Sequence, residues 1–199
     1  MAGFYKGVEV LAISTGMGGV STSIAVEELR NIGIEYMIRV GSCGSLQSGI
    51  NIGDLIIASG AVRDDGTSKA YVPVSYPAVP DFGLAGACIR AARSRRFPCH
   101  LGVVRSHESF YIDDIDDIND FWTKKGVLGS DMETAALFTV GMLRGVRCAS
   151  ILNTVVTPEG TILEGVGSYA SGEDAAAQGE KREIITALDA FVMAENEEI

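Results

Sequence analysis

The stretch GVEVLAISTGMGG, residues 7–19, decides the fold class. Its apolar run, residues 8–13, is typical of a short buried strand, and a glycine loop follows it. Hydroxyl side chains at 21–23 are candidate helix caps, and they predict a helix that stops by Gly33. A strand, a glycine loop and a helix in this order form the first half of a βαβ unit.

The next apolar run, residues 34–40, predicts a second strand that leads directly into a second glycine loop, GSCGS at 41–45. This repeated order implies a parallel sheet with right-handed crossovers. The same patterns predict further strands at 55–58, 99–106 and 147–156, and helices at 81–96, about 132–143 and about 180–194. We therefore expect an α/β fold, a single domain with a mixed, largely parallel central sheet flanked by helices.

Three segments of the chain lack regular periodicity. The proline-rich segment 63–82 predicts a long loop, and loops of that length in compact domains are usually functional. The acidic segment 111–122 predicts a solvated helix face or loop, because closely spaced like charges repel. The segment 157–179 is polar and contains several glycines, and no element is predicted there.

Composition excludes several classes of protein. The net charge of −10 argues against nucleic-acid binding, and 47% hydrophobic residues allow a compact core. The sequence contains neither an apolar run long enough for a membrane helix nor a signal-peptide pattern, so we expect a cytoplasmic protein without a membrane partner. Its four cysteines form no CxxC pair and only two histidines accompany them, which predicts neither a zinc site nor disulfides.

Arg39 is the first candidate for chemistry, because an arginine near the end of an apolar strand is costly unless it meets a carboxylate or an anion. A salt bridge to a core carboxylate is one interpretation. The other is an anion site, since Gly41, Ser42 and Gly44 follow with a hydroxyl and exposed backbone N–H groups. Together with the guanidinium, these donors would form a phosphate cradle.

Glu133 is the second candidate, at the start of a predicted apolar helix. A carboxylate accepts hydrogen bonds from a diol, so Glu133 would suit a ribose; alternatively, it only stabilises the helix N-terminus. Asp131 has the same two interpretations. Met132 and Met17 are either core residues or ligand contacts, and Phe110 either stacks on a base or fills the core.

Five segments carry a resemblance to a known family. They are STGMGGVSTSIAVEEL (14–29), IRVGSCGSLQ (38–47), GAVRDDGTSKAYVPVSYPAVPDF (60–82), SFY (109–111) and DMETAAL (131–137). In order and spacing they resemble the nucleoside phosphorylases that include uridine phosphorylase and the hexameric purine nucleoside phosphorylases, over essentially the whole chain. The proline-rich segment looks more like uridine phosphorylase, and RVGSCG looks more like the purine enzymes.

The resemblance implies phosphorolysis of a nucleoside, most closely uridine, to the free base and ribose 1-phosphate by a pentosyltransferase. It implies catalytic Arg39 and Glu133; a phosphate site of Arg39 and Ser42; a ribose site of Met17, Ser42, Met132 and Glu133; and a base site of Cys43, Gly44, Phe110 and Asp131. Inorganic phosphate is then a co-substrate, and no cofactor or metal is expected. Family members are homo-oligomers, so a homodimer or hexamer is expected.

The sequence departs from the family pattern at three places, which leaves alternatives open. The family begins with a strand and a glycine-rich loop ahead of the first residue here, so we expect one N-terminally short domain over residues 1–199. Val155 or Val156 stands where purine enzymes carry an aspartate and uridine phosphorylases an arginine. Asp114 and Asp116 replace the residues that read uracil. A purine nucleoside phosphorylase and a non-catalytic nucleoside-binding relative therefore remain as alternatives.

Overall fold

The structure is a computed structural model that describes residues 1–160, Gly167 and residues 174–196. The strands are β1 (Ala2–Tyr5), β2 (Val8–Leu11), β3 (Tyr36–Ser45), β4 (Leu55–Asp64), β5 (Cys99–His107), β6 (Gly129–Asp131) and β7 (Arg147–Val156). The helices are α1 (Gly19–Asn31), α2 (Gly66–Tyr71), α3 (Phe82–Ser94), α4 (Ile115–Thr123), α5 (Thr134–Arg144) and α6 (Asp174–Asn196).

Five strands form the central sheet, in the order β3-β6-β5-β4-β7. The pairs β3–β7, β4–β5 and β5–β6 are parallel, whereas β3–β6 and β4–β7 are antiparallel. This confirms the predicted mixed, largely parallel sheet. The β4–β7 pairing also closes the ladder into a barrel, so the sheet curves more strongly than an open α/β sheet does.

Helices cover both faces of the sheet, because side chains of a strand alternate between faces. Ile56 of β4 lies in a core cluster with Val26 of α1 and Phe138 of α5. Its neighbours Leu55 and Ile57 lie in the other core cluster, which Leu84 and other residues of α3 form with alanines of α6. The small side chains of α3 and α6 allow these two helices to pack closely.

The first predicted strand is real but does not join the central sheet. β2 pairs antiparallel with β1, and the two form a separate two-stranded hairpin. Its turn places Lys6 and Gly7 in the left-handed region. The hairpin is fastened to α6, because Tyr5 Oη and Lys6 Nζ both donate to Asp189 Oδ1, at 3.0 and 2.7 Å. The prediction that residues 8–13 belong to the parallel sheet is therefore wrong.

The proline-rich segment contains an element that its composition concealed. Helix α2 begins after Asp65, whose carboxylate accepts hydrogen bonds from the N–H and the hydroxyl of Ser68. The buried Arg63 side chain donates to main-chain carbonyl oxygens along the segment, those of Ser68, Val72, Pro73, Val74 and Tyr76. The segment is therefore folded around one guanidinium instead of forming an open loop.

The other predicted elements are confirmed with changed ends. β3 continues through Ser45, so Arg39 lies inside the strand as predicted, and the glycines after it lie in the strand too and not in a loop. The acidic segment forms α4, and its aspartates are exposed as expected. The last helix starts earlier than predicted, and most of the polar segment before it lies outside the described residues. Among the helices that the structure describes, none is long and apolar enough to cross a membrane.

Candidate active site

Arg39 lies between two carboxylates. Its Nη2 donates to Glu133 Oε2, and its Nε is 3.5 Å from Asp131 Oδ2. Burial acts to lower the pKa of the guanidinium, and the neighbouring carboxylates outweigh burial, so that the pKa is raised above its ordinary value. The salt bridge that the sequence left open for Arg39 is therefore present, and the guanidinium keeps its charge in a largely buried position.

Glu133 connects this arginine to the first glycine loop. Its Oε1 accepts the backbone N–H of Gly18 at 2.6 Å, and its Oε2 accepts the N–H of Met132 at 3.2 Å. Gly18 has a φ of +87°, a conformation that favours glycine. The loop, the end of β6 and the start of α5 thus meet at one carboxylate, and Met17 next to Gly18 is 86% exposed.

Asp131 is held by a buried hydrogen-bond network. Its Oδ1 accepts the Ser106 hydroxyl at 2.5 Å, and its Oδ2 accepts the N–H and the hydroxyl of Thr134 at 3.0 and 2.6 Å. The Thr134 hydroxyl also lies 2.8 Å from Ser150 Oγ. Both carboxylate oxygens are thus used inside the fold, where they fix the start of α5 beside Arg39. Sequence reasoning placed Ser106 at the start of a candidate segment at the end of β5 but gave it no role, and it missed Ser150. Asp131 three residues before Thr134 is a typical capping pattern.

Glu183 of α6 is a fourth charged group at the site, and sequence reasoning missed it. Its side chain is buried, and its Oε2 accepts the Gly41 N–H at 3.0 Å. Burial raises the pKa of Glu183 to about 8, against the opposing effects of the Arg39 charge and this hydrogen bond. Helical periodicity carried the signal, since Glu183 shares one buried face with Ala187, Ala190 and Ala194.

The residues after Arg39 point to different sides of β3. Ser42 is exposed, whereas Cys43 is buried in the core, where burial raises the pKa of its thiol to about 12. Gly44 pairs with Val156 across β3 and β7, and a Cβ added to Gly44 would lie 3.8 Å from the Val156 Cβ. Val156, the alternative position for a proton donor, thus lies beside a residue of the predicted base site.

Phe110 follows β5 and keeps 40% of its surface exposed. Its ring contacts that of Tyr111 edge to face, with 5.0 Å between centroids. In the described part of the chain, the predicted residues that the carboxylate network joins are Arg39, Asp131, Met132 and Glu133. Met17, Ser42, Cys43, Gly44 and Phe110 take no part in that network, and their roles in binding stay predictions.

Comparisons with known proteins show which family this chain resembles. The model of the phosphorylase superfamily matches residues 1–181. Uridine phosphorylase of Thermococcus kodakarensis is 41% identical over 191 residues, which cover 86% of this chain and 68% of that protein. Guanosine phosphorylase of Halorubrum lacusprofundi is 36% identical over 170 residues, which cover 85% and 68%.

Solved structures show the same architecture. The crystal structure of uridine phosphorylase from Vibrio fischeri ES114, complexed with 6-hydroxy-1-naphthoic acid, matches with a TM-score of 0.89 and 46% identity. That match covers 96% of this chain and 77% of the other. The chain belongs to the phosphorylase superfamily. Both the expected nucleoside phosphorylase resemblance and the expected class of enzyme, a pentosyltransferase, are thereby confirmed.

Proposed function

We propose that this chain catalyses the phosphorolysis of a nucleoside, with uridine as the substrate, giving the free base and ribose 1-phosphate. The contact between Arg39 and Glu133 carries the proposal. It places a buried cation, suited to an anionic nucleophile, directly beside a carboxylate suited to the ribose hydroxyls. The sites that we assign to the two substrates, phosphate and the ribose of the nucleoside, are therefore adjacent in the fold.

Arg39 has a hydrogen-bond donor to spare for phosphate. Its Nη1 is buried and has no hydrogen-bond partner within the described residues, while Nη2 is held by Glu133. A buried donor without a partner is costly, and a phosphate oxygen would satisfy it. The exposed Ser42 hydroxyl, three residues further along β3, would supply a second donor.

Glu133 would bind the ribose through its two oxygens, one of which now accepts the Gly18 N–H. A phosphate oxygen forms a bond to the anomeric carbon as the bond from that carbon to the base nitrogen breaks, and the electron pair leaves with the base. Positive charge develops on the sugar, and the carboxylate of Glu133 stabilises it. Arg39 holds the anionic nucleophile in position, so catalysis rests on placement and charge without a covalent intermediate.

The choice of uridine rests on the relatives and on the proline-rich segment. The Thermococcus and Vibrio proteins are uridine phosphorylases, which would place this enzyme in pyrimidine salvage. A purine nucleoside is the second candidate, because the Halorubrum relative is a guanosine phosphorylase. We further propose a single-domain cytoplasmic enzyme that acts as a homodimer or hexamer and needs no cofactor beyond its co-substrate phosphate.

The test is base release from uridine, inosine and guanosine, each with and without inorganic phosphate. We expect phosphate-dependent release of uracil, together with ribose 1-phosphate in equal amount. Phosphate-dependent release of a purine base alone would replace uridine by a purine substrate. Release that does not depend on phosphate would indicate a hydrolase, and binding of a nucleoside without release would indicate a non-catalytic relative.

A further inference from the structure

Glu183 is a charged group at the site to which the proposed reaction gives no role. It is 4% exposed, and it reaches from α6 to the backbone of β3, where it accepts the Gly41 N–H. The backbone of Asn153 in the neighbouring strand β7 also acts to lower the pKa of this carboxyl group. The side chain of Glu183 thus contacts β3 two residues beyond Arg39.

Glu183 and Arg39 both lie against the backbone of Gly41, from two directions. A Cβ added to Gly41 would lie 2.6 Å from Arg39 Nη1, so the guanidinium lies directly against the Gly41 backbone. The N–H of that glycine points to Glu183. The unpartnered Nη1, which we propose for phosphate, is therefore the Arg39 nitrogen nearest to the backbone that Glu183 holds.

The charges around Arg39 do not favour the binding of a phosphate anion. Arg39 interacts with the carboxylates of Asp131, Glu133 and Glu183, so one positive charge faces three negative ones when all are ionised. A phosphate dianion placed against Nη1 would meet this excess at short range, where repulsion is only partly screened. Protonation of one carboxyl group would remove part of the repulsion and leave more of the guanidinium charge for the phosphate.

Of the three carboxyl groups, Glu183 is the one suited to carry that proton. Asp131 accepts two hydroxyls and an N–H, and Glu133 pairs directly with Arg39. Those contacts stabilise the ionised forms. The Gly41 N–H also favours the ionised form of Glu183, but burial of this side chain outweighs that contact. A protonated carboxyl group still keeps one oxygen that accepts from Gly41.

We propose that Glu183 is a positioning residue that controls the anion site: phosphate binds when Glu183 is protonated, so that binding at a pH where Glu183 is ionised takes up one proton from solvent. This inference rests on the proposed function and goes beyond it by naming the group that sets phosphate affinity. The proton returns to solvent when the phosphorylated product leaves. The bonds formed and broken in the reaction itself are unchanged.

Other ionisable groups around Glu183 are few in the described chain. β3 contributes Arg39 and the thiol of Cys43, and α6 itself contributes Glu180. Two further charged groups reach α6, Arg95 from the end of α3 and Lys6 from the N-terminal hairpin. Both are paired with Asp189, which lies further along α6 than Glu183. Arg182, next to Glu183 on α6, donates to the carbonyl oxygen of Gly53, which precedes β4.

The test compares the wild-type enzyme with Glu183→Gln, whose amide oxygen still accepts the Gly41 N–H but whose charge does not change with pH. With the carboxyl group titrating at about 8, the wild-type KM for phosphate should rise about tenfold between about pH 7 and about pH 9. When the KM is expressed as the concentration of phosphate dianion for both proteins, the Glu183→Gln variant should show a flat profile, and the KM for nucleoside should be unchanged in both. Glu195→Gln, an exposed substitution near the end of the same helix, should keep the wild-type profile.

A second readout does not depend on turnover. The carboxyl carbon of Glu183, assigned in ¹³C NMR spectra by its loss in Glu183→Gln, should titrate at higher pH when inorganic phosphate is added. Phosphorolysis with the same pH profile in wild type and variant would overturn this inference alone. A phosphate-induced shift without phosphorolysis would overturn the proposed function alone, and no effect of phosphate in either experiment would overturn both.

Discussion

Arg39 and Glu183 show at the scale of single residues what a sequence does and does not reveal about a site. An arginine inside an apolar strand is recognisable by itself, because it has to find an anion or a carboxylate. The identity of its partners is not recognisable in the same way. Glu183 lies 142 residues from the glycine that it contacts, and only the packing of α6 brings the two together.

Glu133→Gln tests the carboxylate that we assign to the ribose. The amide keeps the shape of the side chain and an acceptor for the Gly18 N–H, but it loses the negative charge that stabilises the developing positive charge on the sugar. We expect kcat to fall by about two to four orders of magnitude, with a smaller change in KM for nucleoside. Steady-state kinetics with saturating phosphate measure both.

The control for this substitution is Glu27→Gln, which removes a glutamate that pairs with Arg144 near the surface. Its kcat should match that of the wild-type enzyme. Near-normal turnover in Glu133→Gln, with unchanged circular dichroism, would return Glu133 to the role of a helix-start carboxylate.

Gly41→Ala tests the close approach of Arg39 to the backbone. The new methyl group would meet the guanidinium at 2.6 Å and push it away from its present position. Because the displaced atoms belong to the end of a flexible side chain, we expect the fold to persist while the KM for phosphate rises about tenfold or more. Gly3→Ala, where nothing lies within 4 Å of the new atom, should change neither thermal stability nor KM.

At the scale of elements, α6 organises parts of the chain that are distant in sequence. Its buried face covers β7 and supplies Glu183, and its Asp189 holds the N-terminal hairpin and α3. The sequence predicted this helix, but its pattern could not show what the helix contacts. For the same reason the strand at residues 8–13 was correctly recognised and wrongly placed, since periodicity identifies a strand without identifying its partner.

Asp189→Asn should release the hairpin in a pH-dependent way. Burial acts to raise the pKa of Asp189, and hydrogen bonds from Arg95, Lys6 and Tyr5 outweigh burial and lower the pKa to about 2. A lowered pKa stabilises the folded state above the unfolded-state value of about 4 and loses that contribution as the pH falls toward about 2. We expect the substitution to reduce the free energy of unfolding by about 1–2 kcal/mol at neutral pH.

Urea denaturation at neutral and acidic pH measures this difference, which should shrink below about pH 3. Asp120→Asn serves as the matched control, because its pair with Lys124 is exposed and 3.8 Å long. An equal loss of stability at all pH values in Asp189→Asn would mean that the carboxylate acts through packing and not through charge.

At the scale of the whole molecule, the core shields three of the four thiols. Cys43, Cys88 and Cys148 are buried, and burial raises the pKa of each to about 12. The thiolate is the reactive form, so these residues should not react with a thiol reagent in the native state. Cys99, at the start of β5, is half-buried and should react first.

A colorimetric thiol titration at neutral pH checks this. We expect at most one equivalent to react in the native protein, and four after unfolding in guanidinium chloride. In Cys99→Ala the native reaction should disappear. Rapid modification of a second thiol in that variant would show that the core opens more readily than its packing indicates.

The α/β class and the largely parallel sheet followed from strand and helix periodicity alone, because apolar alternation and glycine stops are local signals. Closure of the sheet did not, since it depends on the short antiparallel pairing of β4 with β7. Arg39 and Glu133 were found as candidates by their unusual positions. The network through Ser106, Thr134 and Ser150 was not found, because buried hydroxyls have no distinctive pattern in a sequence.

The buried guanidinium of Arg63 has a consequence for which substitutions this chain can tolerate. Arg63 holds the segment after it through main-chain carbonyl oxygens, an atom type that every residue carries. The path of the segment beyond α2 is thus set largely by its first residue, and exposed side chains such as that of Val74 take no part in holding it. Exposed positions of this segment can therefore accept new side chains while the course of its main chain is kept.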